Sequence, residues 1–552
     1  MTLQSTLACE LGLHPITAQL LISRGIENLE EARIFLSPSL DHLPDPFELP
    51  DMERACERIL TAMQKRETIA IYGDYDVDGC TSAALLTRFF RACGHDPIVF
   101  LPHRLRDGYG LSPTGIDILK ERGARLIITV DNGMRAEEAI HYAVGKGMDV
   151  IVTDHHEGHE SPQSAVAVVN PKQGGKISKD LCGVGLALFL AMALRRKLRE
   201  ARMLLNGEPH LGSLLDLVAI GTIADIVPLT NANRVLTSIG LDVLRRTTSV
   251  GLRALIQQAG LTSDQISTGT VAFRLAPRIN AAGRLDDPML ALELLTTDNP
   301  ERAAVLSTQL DKLNSERQRT EERVVQEALR IEEKSPSRGA IVAHAPHWHI
   351  GVVGIAGSKL VERCGLPAVV CGGEGPLVRG SVRSVRGLDI LSCLETCADL
   401  LHRFGGHAQA AGVTIELAKL DTFRSRFADV CADRLQHISP PEVRVDAEVN
   451  PTEITEHLAR DLERFEPFGM GNPEPVFLAH NIEVMEPRTV GDKHLKFTAR
   501  AQRVSFDAIG FNLAENFIPP SAPCSLTFCP QLNTWNGTTR LQLKVKRMVP
   551  SS

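Results

Sequence analysis

Residues 68–80 read TIAIYGDYDVDGC: an apolar, β-branched run, a glycine, then Asp74, Asp76 and Asp78 on alternate positions. The run has the length and composition of a short buried strand. Three carboxylates that close together need a positive partner. A calcium-binding helix–loop–helix is excluded, because its loop follows a helix and ends in a bidentate Glu at the twelfth position. Counted from Asp74, the twelfth residue is Leu85, and a strand precedes the loop. The stretch therefore predicts a strand, an acidic loop and then a helix over TSAALLTRFFRACG.

The same rhythm continues downstream. RLIITV (125–130) precedes RAEEAIHYAVGKG, and MDVIVT (148–153) precedes an acidic-histidine turn at Asp154. Such βαβ alternation over about 68–228 implies a largely parallel sheet covered by helices. A charged stretch, 299–334, has helical apolar spacing and stops at SPSRG, so it reads as a linking helix of mainly structural role. A second α/β segment covers about 340–436, with AIVAHA and PAVVCGG as strands.

From about 440 the chain turns to short β-like runs (HLKFTAR, FDAIGFN, RLQLKVKRMV), which predict a small β-barrel. Over 488–552, nine basic residues (Arg488, Lys493, Lys496, Arg500, Arg503, Arg540, Lys544, Lys546, Arg547) face three acids (Asp492, Asp507, Glu515), a net +6. Phe497, Phe506, Phe511 and Trp535 are interleaved with them, as a surface for single-stranded nucleic acid requires. The alternative is a solvated strand face with ordinary core aromatics.

The 552 residues suffice for about three to four domains. A hydrophobic share of 43% supports a folded chain with ample core, and a net charge of −7 excludes a generally basic nucleic-acid binder but not a local basic groove. The twelve cysteines contain no C-x-x-C pair. Cys393 and Cys397, like Cys524 and Cys529, read as buried small hydrophobes. The start, MTLQSTLACELG, shows no secretory signal, and the most apolar stretch, 212–229, contains Asp216 and Asp225, a poor membrane span. A cytoplasmic protein with reduced thiols is expected.

Acids gather at strand ends. Asp74, Asp76 and Asp78 follow TIAIYG, Asp131 follows LIITV, and Asp154, His155 and His156 follow VIVT; Asp225 lies further on in GTIADIVPL. Ligands of parallel α/β sheets bind beyond the carboxyl ends of strands, so one pocket can collect these residues. Any one Asp could merely cap the following helix. Gathered together they repel, by roughly 4 kcal/mol for two carboxylates about 4 Å apart at an effective dielectric of 20, so a cation or raised pKa values are needed. Oxygen donors with one or two imidazoles suit Mn²⁺ or Mg²⁺ better than structural zinc, and a bridging carboxylate is the two-metal arrangement that breaks phosphate esters. Candidate phosphate partners are Arg104 in PHRLRDGYG, Arg278 and Arg284 in PRINAAGR, and Arg383 in GSVRSVRG, with His407 in GGHAQAAG.

The Asp154-His155-His156 triplet, the D-x-D-x-D-G loop, VDNG and GGHAQAAG together resemble the DHH phosphoesterase superfamily with its DHH-associated domain. PHRLRDGYG, GTIADIVPL, PRINAAGRLDDP and HWHIGVVGI, in this order, resemble the RecJ family of bacterial single-strand-specific 5′→3′ exonucleases. The resemblance spans nearly the whole chain. It implies an α/β fold: a parallel-sheet DHH domain (50–298) and a second α/β DHH-associated (DHHA1) domain (339–438) joined by a long helix (299–338). An N-terminal segment (1–49) would pack on the core, and an oligonucleotide-binding (OB) β-barrel (439–552) would follow.

It further implies metal ligation by Asp76, Asp78, Asp131, His155 and Asp225, with two Mn²⁺ or Mg²⁺ ions as cofactors. Asp74 would be a supporting acid and His156 would act on the scissile phosphate. Arg104, Arg278, Arg284, Ser381 and Arg383 would hold DNA phosphates, with His407 close by. A single strand would thread the gap between the two α/β domains and leave as 5′-mononucleotides, in recombination and repair. Single-strand-binding protein and a RecQ-type helicase are the implied partners, with no membrane. The chain ends after the barrel, so a further C-terminal domain of some relatives is expected to be absent. A DHH phosphodiesterase for short oligonucleotides or cyclic dinucleotides and a non-enzymatic replication scaffold are the rival readings. The basic tail argues against the first and the complete ligand set against the second.

Overall fold

The computed structural model describes residues 2–550 apart from 105, 159, 205, 206, 335, 337, 439–443, 492, 502, 503, 516, 520, 521, 536 and 537. Asp492, Arg503 and the side chain of Trp535 therefore lie outside the described residues.

Five strands, β1 (Thr68–Tyr72), β2 (Ile98–Phe100), β3 (Ala124–Val130), β4 (Asp149–Thr153) and β5 (Ala167–Val169), form a parallel sheet in the order β2-β1-β3-β4-β5. Successive residues of a strand face opposite sides, and here both sides are covered. Ile69, Ile71, Ile128, Val130 and Ile151 enter one core with Phe89 and Phe90 of the helix Val77–Ala92, and with the helices Gly183–Glu200 and Leu215–Ala224. Ala70, Tyr72, Ile127, Val150 and Val152 enter the opposite one with Ile116 and Ile140. β1, β3 and β4 thus end side by side, and the loops after them meet.

A mixed sheet follows, built of β6 (Ile341–Ala345), β7 (Ala368–Gly372), β8 (Leu377–Arg383), β9 (Leu401–Gly406) and β10 (Ala410–Glu416) in the order β6-β7-β8-β10-β9. Only β6 and β7 pair in parallel. The helix Pro300–Lys334, about 52 Å long, fixes the two sheets relative to each other because it belongs to both cores. Ala303, Leu306 and Leu310 are buried with the first, Val324, Val325 and Ala328 with the second. Between these apolar stretches it carries a buried polar segment. Arg317 donates to Glu321 Oε2 at 2.5 Å and to Asn314 Oδ1 at 2.8 Å, and Lys359 pairs with Glu321 Oε1 at 2.7 Å.

The last region comprises β11 (Ala447–Glu448), β12 (Phe477–Val490), β13 (His494–Ala501), β14 (Val504–Gly510), β15 (Cys524–Trp535) and β16 (Thr538–Pro550). β12 pairs with both β13 and β15, which closes β12-β13-β14-β16-β15 into a five-stranded barrel. Phe497 and Phe506 are buried in it, so the core-aromatic alternative holds for these two, whereas Phe511 is 46% exposed. The basic surplus is also smaller than the count over 488–552 suggests. Glu474 pairs with Lys544 and Lys546, and Glu483 with Arg500, both acids arriving from upstream of that window. Arg488 and Lys496 remain directly opposite each other on β12 and β13, a like-charge pair that an anion would relieve.

The N-terminal segment is divided between cores. Leu7, Leu20, Leu21 and Leu36 join the barrel, whereas Leu49 joins the parallel-sheet core. Cys393, Cys397, Cys524 and Cys529 are buried and free, as expected of small hydrophobes. Among the described residues no helix is long and apolar enough to cross a membrane.

Candidate active site

The loop after β1 folds back over the start of its own helix. Asp76 caps that helix, its Oδ1 accepting from Gly79 N at 3.0 Å. A Cβ on Gly79 would stand 2.5 Å from the Asp74 carbonyl oxygen, so this glycine is a steric requirement of the acidic loop. Asp78 faces the other way: its carboxylate accepts from Gly183 N (2.7 Å) and Val184 N (2.8 Å), at the N-terminus of the helix Gly183–Glu200. Asp131 follows β3 in a left-handed conformation, φ 62°. Its neighbour Asn132 donates to the carbonyls of Tyr72 and Val130, tying the ends of β1 and β3 together.

After β4, Asp154 is a positioning residue. Its Oδ2 accepts from Met134 N (2.9 Å) and its Oδ1 from His156 N (3.0 Å), with His156 Nδ1 at 2.7 Å. His155 places Nε2 at 3.1 Å from Asp131, 3.6 Å from Asp225 and 3.8 Å from Asp78. Asp225 differs from the strand-end acids, because it stands at the C-terminus of the helix Leu215–Ala224. That helix comes close because it has Gly221, where a Cβ would lie 2.4 Å from Thr81 Oγ1 and 3.0 Å from Asp78 Oδ1.

Among the described residues, three sets of side chains bring ligand atoms within 4.8 Å of one another: Asp74, Asp76 and Asp131; Asp78, His155 and Asp225; and Asp131, His155 and His156. Asp131 and His155 each belong to two sets. Asp74, expected as a supporting acid, stands level with Asp76 and Asp131 as a possible ligand. Asp225 Oδ2 is buried without a hydrogen-bond partner. An orphaned buried carboxylate oxygen among other carboxylates and a neutral imidazole fits a divalent cation with oxygen-rich coordination.

The electrostatics agree. Burial first, then the charge of Asp76, raises Asp78 to about 7. Burial and Asp78 raise Asp225 to about 9. Burial followed by the neighbouring carboxylates pushes Asp74 and Asp131 far above the usual range. Burial and the charge of His156 hold His155 down at about 3, so it is the neutral imidazole a metal needs. Burial opposes charge on His156 and Asp154 too, but their mutual hydrogen bond wins, raising the imidazole and lowering the carboxyl.

A cationic flank adjoins this acidic centre. The Arg104 guanidinium lies 5.2 Å from the Tyr75 ring centre. Arg284 donates to Gly351 O at 3.3 Å across the domain boundary, and burial, then Arg104 and Arg317, depress it to about 10. On β8, Arg383 donates to Ser381 Oγ at 2.6 Å and is lowered by burial and by Arg104. His407 occupies the tight turn between β9 and β10 and lines a cavity of about 450 Å³ with Tyr109, Asp154, His155, His156 and Lys172. Arg278, expected among the phosphate-binding residues, is instead bound to Asp311 on the long helix at 2.8 Å, because its helix packs there. Tyr109 was visible only as a member of a motif, and Asp154, named among the gathering acids, had no role of its own until its bonds to His156 and Met134 were seen. Arg317 gave no signal, being one charge among many on a charged helix.

A parallel sheet delivering Asp and His from its strand ends, roofed by a second α/β domain, defines a DHH-type phosphoesterase. Known domain families match in that order: the DHH family N-terminal domain over 68–222, the DHHA1 domain over 338–433 and the RecJ OB domain over 445–547. The sequence is 37% identical over 547 residues to the single-stranded-DNA-specific exonuclease RecJ of Bacillus subtilis, covering 97% of this chain and 68% of that protein. It is 36% identical over 561 residues to the Escherichia coli protein of the same name, covering 98% and 96%. The fold matches the crystal structure of Thermus thermophilus RecJ in complex with Mn²⁺ with a TM-score of 0.84 at 30% identity, over 100% of this chain and 78% of that one; the Mg²⁺ complex gives 0.79. The chain belongs to the RecJ family, and its acidic centre is a divalent-metal site.

Proposed function

We propose that the chain is a metal-dependent exonuclease that degrades single-stranded DNA from the 5′ end and releases 5′-mononucleotides. The observation that carries this is the shared carboxylate Asp131, common to two ligand sets beside an orphaned Asp225 oxygen, with a cationic flank across the domain boundary. We infer two ions, Mn²⁺ or Mg²⁺, held by Asp76, Asp78, Asp131, His155 and Asp225, with Asp74 within reach. Bound there, they supply Lewis-acid charge and acidify the attacking water.

The rest falls to the protein. Arg104, Arg284, Ser381 and Arg383, with His407 on the same cavity as His156, hold phosphates of the terminal nucleotides. His156, kept protonated by Asp154, gives a proton to the 3′-oxygen of the terminal nucleotide as the water oxygen bonds to phosphorus and the P–O3′ bond breaks. A duplex is too broad for a cleft roofed by the second domain, which would give strand selectivity, and the barrel would retain the remaining strand. A single-strand-binding protein and a RecQ-type helicase are the proposed partners, as suppliers of that strand in recombination and repair. Twelve free cysteines support a reducing, cytoplasmic setting.

The test is a time course on a long 3′-labelled strand, single or duplex, with Mn²⁺, Mg²⁺ or EDTA. Metal-dependent shortening from the 5′ end, confined to the single strand, is expected. Preferential attack on blunt duplex would overturn the selectivity, and an intact long strand with a cleaved dinucleotide would indicate a short-substrate phosphodiesterase.

A further inference from the structure

A cavity of about 700 Å³ lies at the opposite end of the parallel sheet from the acidic centre. It opens where β1 and β2 begin, between the last turns of the helices Met52–Gln64, Val77–Ala92 and Gly183–Glu200. Where a helix of this chain ends in the left-handed conformation, glycine is the usual residue: Gly25, Gly94, Gly123, Gly147 and Gly260 each follow a helix cap at positive φ. Among the described residues arginine takes that place twice, as Arg66 (φ 53°) after the first of the three helices and Arg202 (φ 55°) after the third, and both line this cavity. A side chain with a Cβ is strained there, so each arginine is kept at a cost to the fold. Service to the helix end does not explain it. The helices Pro113–Glu121 and Glu137–Gly145 take their cation at the cap itself, as Arg122 and Lys146, and keep glycine next; Met52–Gln64 already has Lys65 at its cap.

Neither guanidinium has an ion-pair partner among the described residues, and both stand exposed at the rim. The two carboxylates on the lining are committed elsewhere, Glu67 to Arg58 at 2.6 Å and Asp96 to Arg91 at 2.7 Å. His95, also on the lining, is lowered by burial and then by Arg66, so that charge is felt inside the cavity. The floor is apolar: Met63, Ile69 and Phe90 are buried beneath it.

We propose that this cavity binds a nucleoside 5′-monophosphate, with the phosphate between Arg66 and Arg202 and the base over Met63, Ile69 and Phe90. Two unpaired guanidiniums suit a phosphomonoester dianion, the floor suits a base, and the volume is in the range of small-ligand sites. The choice of a nucleotide over other phosphomonoesters rests on the exonuclease reading, in which such molecules are released at the far end of the same elements. β1 leads into the acidic loop, Asp76 caps the helix Val77–Ala92, and the N-terminus of Gly183–Glu200 holds Asp78.

The protein, ¹³C-labelled at its methionine methyls and kept in Mg²⁺, is titrated with 2′-deoxyadenosine 5′-monophosphate, 2′-deoxyadenosine or inorganic phosphate. Met63 and Met203 line this cavity and Met134 lines the one beside His156, so the two sites report separately. Met63 and Met203 should shift saturably with the nucleotide, and the nucleoside and phosphate should each bind at least about tenfold more weakly. The double variant Arg66→Gly, Arg202→Gly should melt no lower than wild type, because glycine suits both backbones. It should bind the nucleotide at Met63 and Met203 at least about tenfold more weakly, with the Met134 response unchanged. Still methyls at Met63 and Met203, or an equal response in the double variant, would overturn the proposal. Phosphate binding as tightly as the nucleotide would overturn the base contact, and the nucleoside doing so would overturn the role of the arginines. These titrations use no DNA strand, so failure of the exonuclease reading shows separately, as an intact single strand in the time course.

Discussion

Arg234 and Asp225 are both ionisable groups drawn away from solvent, Arg234 fully and Asp225 partly, and the fold treats them in opposite ways. Arg234 is 3% exposed and every arm of its guanidinium is engaged: Nε donates to Phe35 O (3.0 Å), Nη1 to Phe465 O (2.9 Å), and Nη2 to Arg464 O (3.2 Å) and Glu466 O (3.0 Å), while Phe35 lies 3.7 Å beneath it. It fastens the parallel-sheet domain, the N-terminal segment and the approach to the barrel in one place. Asp225 leaves a buried oxygen unpartnered among other acids. A buried ionisable group with every arm bonded belongs to the scaffold, whereas an unpartnered carboxylate oxygen among other acids is where a cation fits.

Each side of this contrast can be broken. Asp131→Asn, which removes a carboxylate common to two ligand sets, should lower the rate on single strands on the order of a thousandfold or more. Its melting temperature without metal should stay level or rise, because like-charge crowding is relieved; a large drop would mean that Asp131 is scaffold. Arg234→Ala should do the reverse, losing about 3–5 kcal/mol in a denaturant titration and loosening the N-terminal segment to proteolysis.

The pH dependence sharpens the comparison. Unfolded carboxylates lose their protons near pH 4, whereas Asp78 keeps its proton to about 7 and Asp225 to about 9. Over that interval the folded chain binds more protons than the unfolded one, so stability without metal falls as pH rises. Melting curves in EDTA should move down from pH 5.5 to 8.5, and the gain on adding Mn²⁺ should be largest at the alkaline end. The smallest effect is expected at Arg278. With its guanidinium committed to Asp311, Arg278→Ala should change KM within about twofold, whereas Arg383→Ala should raise it about tenfold.

The strand–loop–helix unit at 68–80 was legible because a buried parallel strand and a glycine-dependent acidic loop are local patterns. The same holds for Asp131 after β3 and for the Asp154–His156 turn after β4, since strand ends in one parallel sheet must meet. Asp225 could be named but not placed, for it arrives on a helix whose approach depends on Gly221. Arg278 and Arg284 show the limit most clearly. They lie six residues apart in one motif, yet one faces the cleft and the other the long helix, because a helix turns its successive side chains around its axis and packing decides which face is covered. The barrel's charge could not be judged from its own stretch either, since Glu474 and Glu483 come from outside it.

By itself the sequence determined the α/β and barrel architecture, the acids that gather and the oxygen-rich character of their metal site, because these follow from periodicity and residue chemistry. Only the tertiary structure decided which arginines remain free for phosphate, that Asp74 stands level with the ligands, and that Arg66 and Arg202 line one cavity. Those outcomes depend on contacts between segments far apart in the chain, and no local pattern encodes them.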